Sequence, residues 1–398
     1  MQYRSASLSR GSYVVRKDLK QAHIWHKSKL FLYQLDIELT ERCNNNCVHC
    51  CINLPAGDLE AKNKELSTEE VKNILKEAVS LGCLSARFTG GEPLLREDFE
   101  ELYIFARKLG LKVLLFTNAT LINQRLADLF SRIPPLERIE VTLYGMKKQS
   151  YEAVTRVLGS FEAAWRGIRL LLEKKIPFMV KGALLPYNKG EIDEFEAWAA
   201  KIPWMDRPPS YSMFFDLRCR RDGMKNKLIK NLRVSPEAGL KILNRRKGKY
   251  IKEMKEFCAK FIRPPADKLF SCGSGKGGGC VDAYGNFQPC MLLRHPDYVY
   301  DLRKGSLKDA LENFFPKLRE IKATNSDYLN RCAKCFLKGL CEQCPAKSWA
   351  EHGTLDTPVE YLCEVAHAQA EFLGLIKENE KAWEVADWQE RIDRFSGR

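Results

Sequence analysis

Short apolar runs alternate with amphipathic stretches between residues 33 and 216. The runs are rich in Val, Ile, Leu and Phe and are bounded by Gly, Pro or polar residues, which predicts short buried β-strands. The six predicted strands are Tyr33–Leu39, Leu84–Phe88, Lys112–Thr117, Arg138–Leu143, Pro177–Leu184 and Ser210–Asp216.

Apolar positions repeat at helical spacing between these strands. The clearest helix follows Ser67, which forms a predicted capping box with Glu70, and it stops at Gly82. Further helices are predicted at about 97–109, 161–174 and 361–377. Alternating strands and helices predict a parallel sheet, so the expected fold class is α/β with a partial (βα)6 TIM-type barrel. Chemistry is then expected at the carboxyl ends of the strands.

The pattern changes after residue 216. Residues 217–256 are basic with weak helical periodicity, whereas residues 257–398 are rich in Cys, Gly and turn residues. A stretch with so little apolar periodicity is expected to be irregular and to fold around bound metal. The predicted organisation is a basic N-terminal segment (1–32), the barrel (33–216), a basic connector (217–256) and a metal-organised C-terminal domain (257–398).

Composition is that of an ordinary globular protein. Of the 398 residues, 45% are hydrophobic and 29% are charged, which excludes a disordered or collagen-like chain. No window approaches 18 uninterrupted apolar residues, so no membrane-spanning helix is expected. No secretory signal is visible, and we therefore expect a cytoplasmic protein.

Positive charge is concentrated in two segments. The net charge is +14, but residues 217–263 hold 16 basic against 4 acidic residues, and residues 1–35 hold 7 against 1. Such a surface attracts an acidic peptide or protein partner through long-range electrostatics, or it is an ordinary solvated face of a basic helix. Nucleic acid is disfavoured as a partner because aromatic residues are not regularly interleaved with the basic ones.

The 15 cysteines are clustered. An odd number without an export signal disfavours a disulfide framework, and tight clusters in a reducing compartment indicate metal ligation by thiolates. Isolated cysteines such as Cys83 and Cys219 are expected to be small buried side chains.

The first cluster directly follows the first predicted strand. Cys43, Cys47 and Cys50 stand in CxxxCxxC spacing, which lets three thiolates hold one [4Fe–4S] cube and leaves the fourth iron open to another ligand. Structural zinc sites instead fill all four positions with protein ligands. Cys51 is not expected to be a ligand, because side chains of adjacent residues diverge.

This loop resembles the signature of radical S-adenosylmethionine (SAM) enzymes. The turn Gly90-Gly91-Glu92-Pro93 is similar to the family's GGEP motif, whose backbone and carboxylate hold the amino group of SAM. Further residues that the resemblance assigns to SAM are His49, beside the adenine, and the strand-end residues Thr117, Asn118, Thr142 and Lys181.

The resemblance covers about residues 33–216 and implies an oxidoreductase. In such enzymes the reduced cluster cleaves SAM to methionine and a 5′-deoxyadenosyl radical, which abstracts hydrogen from the substrate. An electron donor such as flavodoxin or ferredoxin is implied.

The later cysteines resemble the SPASM extension of radical SAM enzymes, which binds two auxiliary [4Fe–4S] clusters. The resemblance implies one cluster on Cys272, Cys280, Cys290 and Cys344, and a second on Cys332, Cys335, Cys341 and Cys363. The family pattern has three residues rather than two between Cys341 and Cys344, which leaves the partition open, with Cys258 as a substitute ligand. A four-thiolate zinc site in the 332–344 run is the competing interpretation.

Enzymes of this architecture mostly modify peptides or proteins. The stretches Val-Thr-Leu-Tyr-Gly (141–145) and Ser160-Phe161 resemble those of peptide maturases. A sulfatase maturase is less well matched, because Met291 stands where such an enzyme would have the Asp that acts as the base. We expect a crosslink or an oxidation in a ribosomal peptide or partner protein. The alternatives are a radical SAM enzyme for a small molecule, such as a tetrapyrrole, sugar or cofactor precursor, and a non-catalytic metal scaffold. The sequence assigns no catalytic acid or base.

Overall fold

The structure, a computed structural model, describes residues 32–220 and 222–397. The predicted basic segment 1–32 therefore lies almost wholly outside the described residues. The strands are β1 (Gln34–Thr40), β2 (Arg42–Cys43), β3 (Leu54–Pro55), β4 (Ser85–Gly90), β5 (Lys112–Thr117), β6 (Leu136–Leu143), β7 (Phe178–Ala183), β8 (Ser210–Ser212), β9 (Gly278–Val281), β10 (Asn286–Gln288) and β11 (Tyr300–Asp301).

Helices connect the strands and form most of the C-terminal region. They are α1 (Leu59–Lys64), α2 (Thr68–Ser80), α3 (Phe99–Lys108), α4 (Gln124–Arg132), α5 (Lys148–Thr155), α6 (Ser160–Glu173), α7 (Ile192–Ala199), α8 (Gly223–Leu232), α9 (Pro236–Leu243), α10 (Lys247–Phe261), α11 (Leu307–Asp309), α12 (Phe315–Leu318), α13 (Lys338–Cys341), α14 (Pro345–His352), α15 (Glu360–Phe372) and α16 (Trp388–Ser396). Within the described residues, no helix combines the length and the apolar character that crossing a bilayer requires.

The six strands predicted from the sequence are present and parallel. They lie in the order β1-β4-β5-β6-β7-β8, with helices between successive strands. This arrangement confirms the α/β fold class and places all six carboxyl ends at one edge of the sheet. The predicted capping box is also present, since Ser67 and Glu70 bond reciprocally at the start of α2.

The C-terminal region adds three strands that the sequence pattern did not reveal. Strand β9 runs parallel to β1, β10 is antiparallel to β9, and β11 is antiparallel to β10. These strands have only four, three and two residues, which is too short for a period-two pattern to show. The last predicted helix is also shorter than expected, because Gly374 at φ +70° ends α15 near Phe372.

Side chains of β1 alternate between a packed face and a polar face. Leu35, Ile37 and Leu39 are buried against the surrounding helices, while Asp36 and Glu38 point to the opposite, inner side of the sheet. We call this inner side the lumen. It is lined by polar side chains and is therefore suited to hold ligands.

The two largest of the four hydrophobic clusters among the described residues are the barrel core and the C-terminal core. The barrel core contains the packed faces of β1 and β4–β7 with their helices, and also buried residues between 269 and 346. The C-terminal core contains buried side chains of α10, α13, α15 and α16. Helix α10 runs across residue 256, where the sequence places the end of the connector, and the domain bounds stay a prediction.

Candidate cofactor site

The loop after β1 places three cysteines in a buried position. Cys43 and Cys47 are buried and Cys50 is partly exposed. Backbone bonds from Asn46 to Thr155 (2.9 Å) and from Val48 to Val154 (3.0 Å) fix the loop to the end of α5. The local fold therefore holds the loop at the carboxyl edge of the sheet, where the sequence predicts chemistry.

The three thiols are close enough to influence each other's ionisation. Burial raises the pKa of Cys43 to about 12 and that of Cys47 well above its ordinary value, and the neighbouring thiols add to both shifts. The Tyr144 hydroxyl donates a hydrogen bond to Cys47. Thiols in this setting ionise only when a positive charge compensates them, which is what an iron–sulfur cluster provides.

The glycines of the GGEP turn lie directly against this loop. A Cβ at Gly90, whose φ is +132°, would come within 2.1 Å of the Thr40 carbonyl oxygen, and one at Gly91 within 2.3 Å of the Arg42 carbonyl oxygen. The Gly91 amide donates to Thr40 at 2.7 Å, and the Glu92 amide donates to Arg42 at 2.9 Å. Only glycine permits this approach, and it brings the carboxylate beside the cysteine loop.

Glu92 lies fully buried at the centre of the predicted SAM residues. Its carboxylate accepts hydrogen bonds from the Thr117 hydroxyl (2.8 Å), the Asn118 amide (2.8 Å) and the Leu94 amide (3.2 Å). Burial raises the pKa of Glu92 to about 7 despite these bonds. The Asn118 side chain also reaches Cys43 Sγ at 3.8 Å. A buried carboxylate of this kind is suited to a cationic ligand.

The remaining residues that are predicted to bind SAM lie around Glu92 at different depths in the lumen. The His49 ring packs 5.5 Å from Tyr144 and 5.1 Å from Phe215, and burial lowers the His49 pKa to about 4, so the ring is neutral. Thr142 and Lys181 are neighbours across β6 and β7. The Lys181 ammonium turns to Glu140, one layer deeper in the lumen. The assignment of these side chains to SAM stays a prediction.

Comparison with known proteins agrees with this geometry. The family model of the Radical SAM superfamily matches residues 37–199, which hold the cysteine loop and the GGEP turn. The probable GTP 3′,8-cyclase of Methanosarcina acetivorans is 30% identical over 296 residues, which are 70% of this chain and 82% of that relative. The chain belongs to the radical SAM superfamily.

The names of other similar proteins refer to different kinds of molecule. The AdoMet-dependent heme synthase of Methanosarcina barkeri is 27% identical over 346 residues, covering 79% of this chain and 92% of that relative. The solved structure of native anSMEcpe with bound AdoMet and Kp18Cys peptide has a TM-score of 0.61 at 16% identity, covering 92% of this chain and 99% of that chain. The shared fold therefore includes the C-terminal extension of this radical SAM chain.

Four predicted ligands of the extension line one cavity. The cavity is partly open to solvent, and the ligands around it are Cys332, Cys335, Cys341 and Cys363. Arg331 Nη2 lies 3.7 Å from Cys363 Sγ, and His367 Nδ1 lies 3.5 Å from the same sulfur. The structure thus brings together the set that the resemblance gives to the second auxiliary cluster.

The other predicted set is less compact. Cys290 interacts electrostatically with Cys272 and Cys344. Cys280, in contrast, is fully buried in β9, where its charged neighbours are Glu38 and Arg294. The partition of ligands stays a prediction.

All 15 cysteines are free thiols. Within the described residues, no three His, Cys, Asp or Glu side chains gather tightly enough for a single metal ion. Cys258, the substitute ligand, is buried in the C-terminal core beside Cys335.

A buried ionic network beneath the cysteine loop escaped the sequence analysis. Arg294 binds Glu38 and Glu41, the latter at 3.1 Å, and Arg220 binds Glu41 (2.7 Å) and Asp282 (2.9 Å). Its members are up to 256 positions apart in the chain. The available signal was Glu38, one of two acidic residues inside the predicted first strand, since an ordinary buried strand lacks acidic residues.

Proposed function

We propose that this radical SAM protein is an oxidoreductase that modifies a peptide or protein, using SAM and three [4Fe–4S] clusters. The observation that carries the proposal is the buried Glu92 carboxylate, held by β5 residues and set against the loop of Cys43, Cys47 and Cys50. A protein that only held structural metal would not need the buried Glu92 carboxylate at the carboxyl end of the barrel.

The residues present fit a cluster and SAM. The three thiols are the donor type that iron–sulfur clusters take, and the glycine turn leaves the space that a Cβ would fill. Two buried polar groups of the cysteine loop, the Asn45 side chain and His49 Nδ1, find no hydrogen-bond partner among the described residues. Unsatisfied buried groups are costly, so they indicate a missing ligand.

When bound, these groups supply one-electron reductive cleavage of SAM and hydrogen abstraction from the substrate. The chain's own residues position and shield the reactants. Glu92 binds the amino group of SAM, since an ionised carboxylate and an ammonium form a charge-assisted bond. His49 and Phe215 provide an apolar wall that excludes water from the reacting atoms. Arg42 keeps the loop in place through its 2.8 Å ion pair with Glu65.

The auxiliary clusters would be held by the two later sets of cysteines. The cavity lined by Cys332, Cys335, Cys341 and Cys363 supports the second set. For the first set, the interaction of Cys290 with Cys272 and Cys344 supports three of four ligands. An electron donor such as flavodoxin or ferredoxin would complete the system.

A peptide or protein substrate is favoured by the shape of the molecule. A cleft of about 430 Å³ opens to solvent between the lumen and the segment from Gly273 to Leu292. The anSMEcpe structure, which covers nearly the whole of this fold, contains a bound peptide. The basic helices α8 and α10 offer a surface for an acidic partner.

A small-molecule substrate is the second candidate. The heme synthase relative aligns over 92% of its own length, and the probable GTP 3′,8-cyclase over 82%. Both names state small molecules, so a tetrapyrrole or a nucleotide remains the competitor of the peptide.

Anaerobic reconstitution tests the core of the proposal. Three clusters predict about 12 iron per chain, together with 5′-deoxyadenosine formed from SAM under reducing conditions. Cys43→Ala should abolish 5′-deoxyadenosine formation, Cys363→Ala should lower the iron content by about a third, and Cys83→Ala, a buried cysteine outside the sets, should change neither. A content of about 4 iron per chain would contradict the two auxiliary clusters, and zinc at the Cys43 loop would refute the whole proposal.

Loss of two hydrogens from a peptide encoded beside the gene, measured by mass spectrometry, would establish the peptide substrate.

A further inference from the structure

Five charged side chains meet inside the barrel below the predicted SAM site. Arg87 of β4 binds Asp36 of β1 at 2.7 Å, and Lys181 of β7 and Arg138 of β6 both bind Glu140, at 3.2 and 3.1 Å. The register of the strands places these residues on the lumen side. Three cations thus face two carboxylates, and this part of the lumen carries one uncompensated positive charge.

A single aromatic ring brings two of the cations together. The Lys181 ammonium lies 3.3 Å from the centre of the Phe116 ring, and the Arg87 guanidinium lies 4.9 Å from it. Burial lowers the pKa of Lys181, and the charges of Arg87 and Arg138 lower it further. Like charges this close repel each other in a poorly solvated lumen, and a bound anion would relieve that repulsion.

Arg87 also retains an unused donor. Its Nη1 binds Asp36, whereas its buried Nε finds no hydrogen-bond partner among the described residues. A guanidinium can bind a carboxylate through more than one N–H, so an anion at this point would satisfy the free donor. The same Nη1 lies 3.7 Å from the sulfur of Met291.

The carboxyl end of the lumen has the opposite sign. There Glu38, Glu41 and Asp282 face Arg294 and Arg220, which leaves one uncompensated negative charge close to the predicted SAM site. SAM carries a net positive charge. The lumen is therefore polarised, with its acidic end suited to the cofactor and its basic end suited to an anion.

The open cleft gives access to the basic end. Asp36 and Arg87 line it together with Cys290 and Met291. An anionic group that entered the cleft would reach Arg87 and then Lys181. It would lie between the predicted SAM site and the first set of auxiliary cysteines, which is the place a substrate must occupy.

We propose that Arg87 and Lys181, with Phe116 between them, bind a carboxylate of the substrate. This inference rests on the proposed function, because the lumen is the place of the substrate only when SAM binds at its mouth. Lys181 is thereby assigned to the substrate, whereas the family resemblance assigns it to SAM. The carboxylate is an acidic side chain if the substrate is a peptide, and a propionate if it is a tetrapyrrole.

Equilibrium binding to the reconstituted, SAM-loaded enzyme tests the proposal without turnover. The probes are a blocked peptide Ala-Ala-Glu-Ala-Ala with its Gln counterpart, and a tetrapropionate porphyrin with its tetra-amide. Isothermal titration calorimetry should show that the carboxylate form of at least one pair binds about tenfold more tightly than its neutral twin, as a charge-assisted bond requires. The pair that shows the preference identifies the source of the carboxylate.

The decisive variant is Lys181→Met. It keeps the length of the side chain, and Glu140 keeps its bond to Arg138, so the fold should survive. The preference for carboxylate should fall below about threefold, with the affinity for SAM unchanged. Lys112→Met, which alters an exposed lysine at the start of β5, should behave as the unaltered protein.

Two results would overturn the inference. One is equal binding of the charged and neutral probes in both pairs. The other is a Lys181→Met variant that loses affinity for SAM but keeps the preference for carboxylate, which would return Lys181 to the cofactor. Both results are read from binding to the loaded enzyme, whereas the proposed function is tested by iron content and SAM cleavage, so failure here is distinguishable from failure of the proposed function.

Discussion

The barrel core and the C-terminal core are built in different ways. The barrel core joins the packed faces of five parallel strands and their helices, and its residues are almost all aliphatic or aromatic. The C-terminal core is smaller, contains Cys258 and Cys335, and borders the cavity that four cysteines line. The first is held mainly by buried apolar area, whereas the second borders a space that protein atoms do not fill.

This difference predicts separate responses to metal. Cavities cost stability because their walls lose contacts, and a cluster bound by four thiolates would supply those contacts. The C-terminal core should therefore depend on its cluster, while the barrel should not.

Removal of metal should give the largest effect. In metal-free protein, amides of α13 and α15 should lose most of their protection from hydrogen exchange, while amides of β5 and β6 stay protected, because only the former helices depend on the cavity's occupant. Hydrogen exchange measured by mass spectrometry on loaded and metal-free protein separates the two regions. Equal loss of protection in both would show that the barrel also depends on metal.

The Arg294 network tests how firmly the two regions are joined. Arg294 is fully buried and connects Glu38 and Glu41 of the barrel to Asp282 of the extension. Arg294→Met would leave buried carboxylates without a partner and should lower the free energy of unfolding by about 3–5 kcal/mol. Denaturant unfolding of the loaded protein measures this change.

The matched control for this network is Arg220, whose side chain is 40% exposed. Water can replace part of its ion pairs, so Arg220→Met should cost less than half as much. If both variants lost the same stability, burial would not be the cause.

The barrel could be predicted from the sequence because each of its elements is specified by residues that are close together in the chain. The six strands and the Ser67 capping box each depend on residues within one element. The GGEP turn and the cysteine loop were found for the same reason. The meeting of Arg87, Arg138 and Lys181 in the lumen was not found, since it requires the four strands β4–β7 to pair in register. Strands β9–β11 were missed because β9 forms by pairing with β1, and β10 and β11 then pair with β9 and β10 in turn, rather than by a pattern of their own.

The pH dependence of SAM binding tests whether the barrel's site is preformed. Burial raises the pKa of Glu92 to about 7, so the carboxylate is ionised above that pH and protonated below it. The affinity of loaded protein for SAM should be constant above pH 8 and should fall about tenfold per pH unit well below pH 7. Equilibrium dialysis measures it. Glu92→Gln should bind weakly at every pH, and an unchanged slope in that variant would assign the titration to another group.

The smallest effects should lie at the exposed contact between the regions. Glu70, which completes the Ser67 capping box, also binds Arg303 of the extension at 2.9 Å. Ser67→Ala should lower the free energy of unfolding by about 1 kcal/mol, because an amide at the start of α2 loses its acceptor. Arg303→Ala should cost no more than about 0.5 kcal/mol, since solvent screens an exposed ion pair. Thermal unfolding of both variants measures the order. A larger loss for Arg303→Ala would mean that the extension is fastened to the barrel at its surface as well as through Arg294.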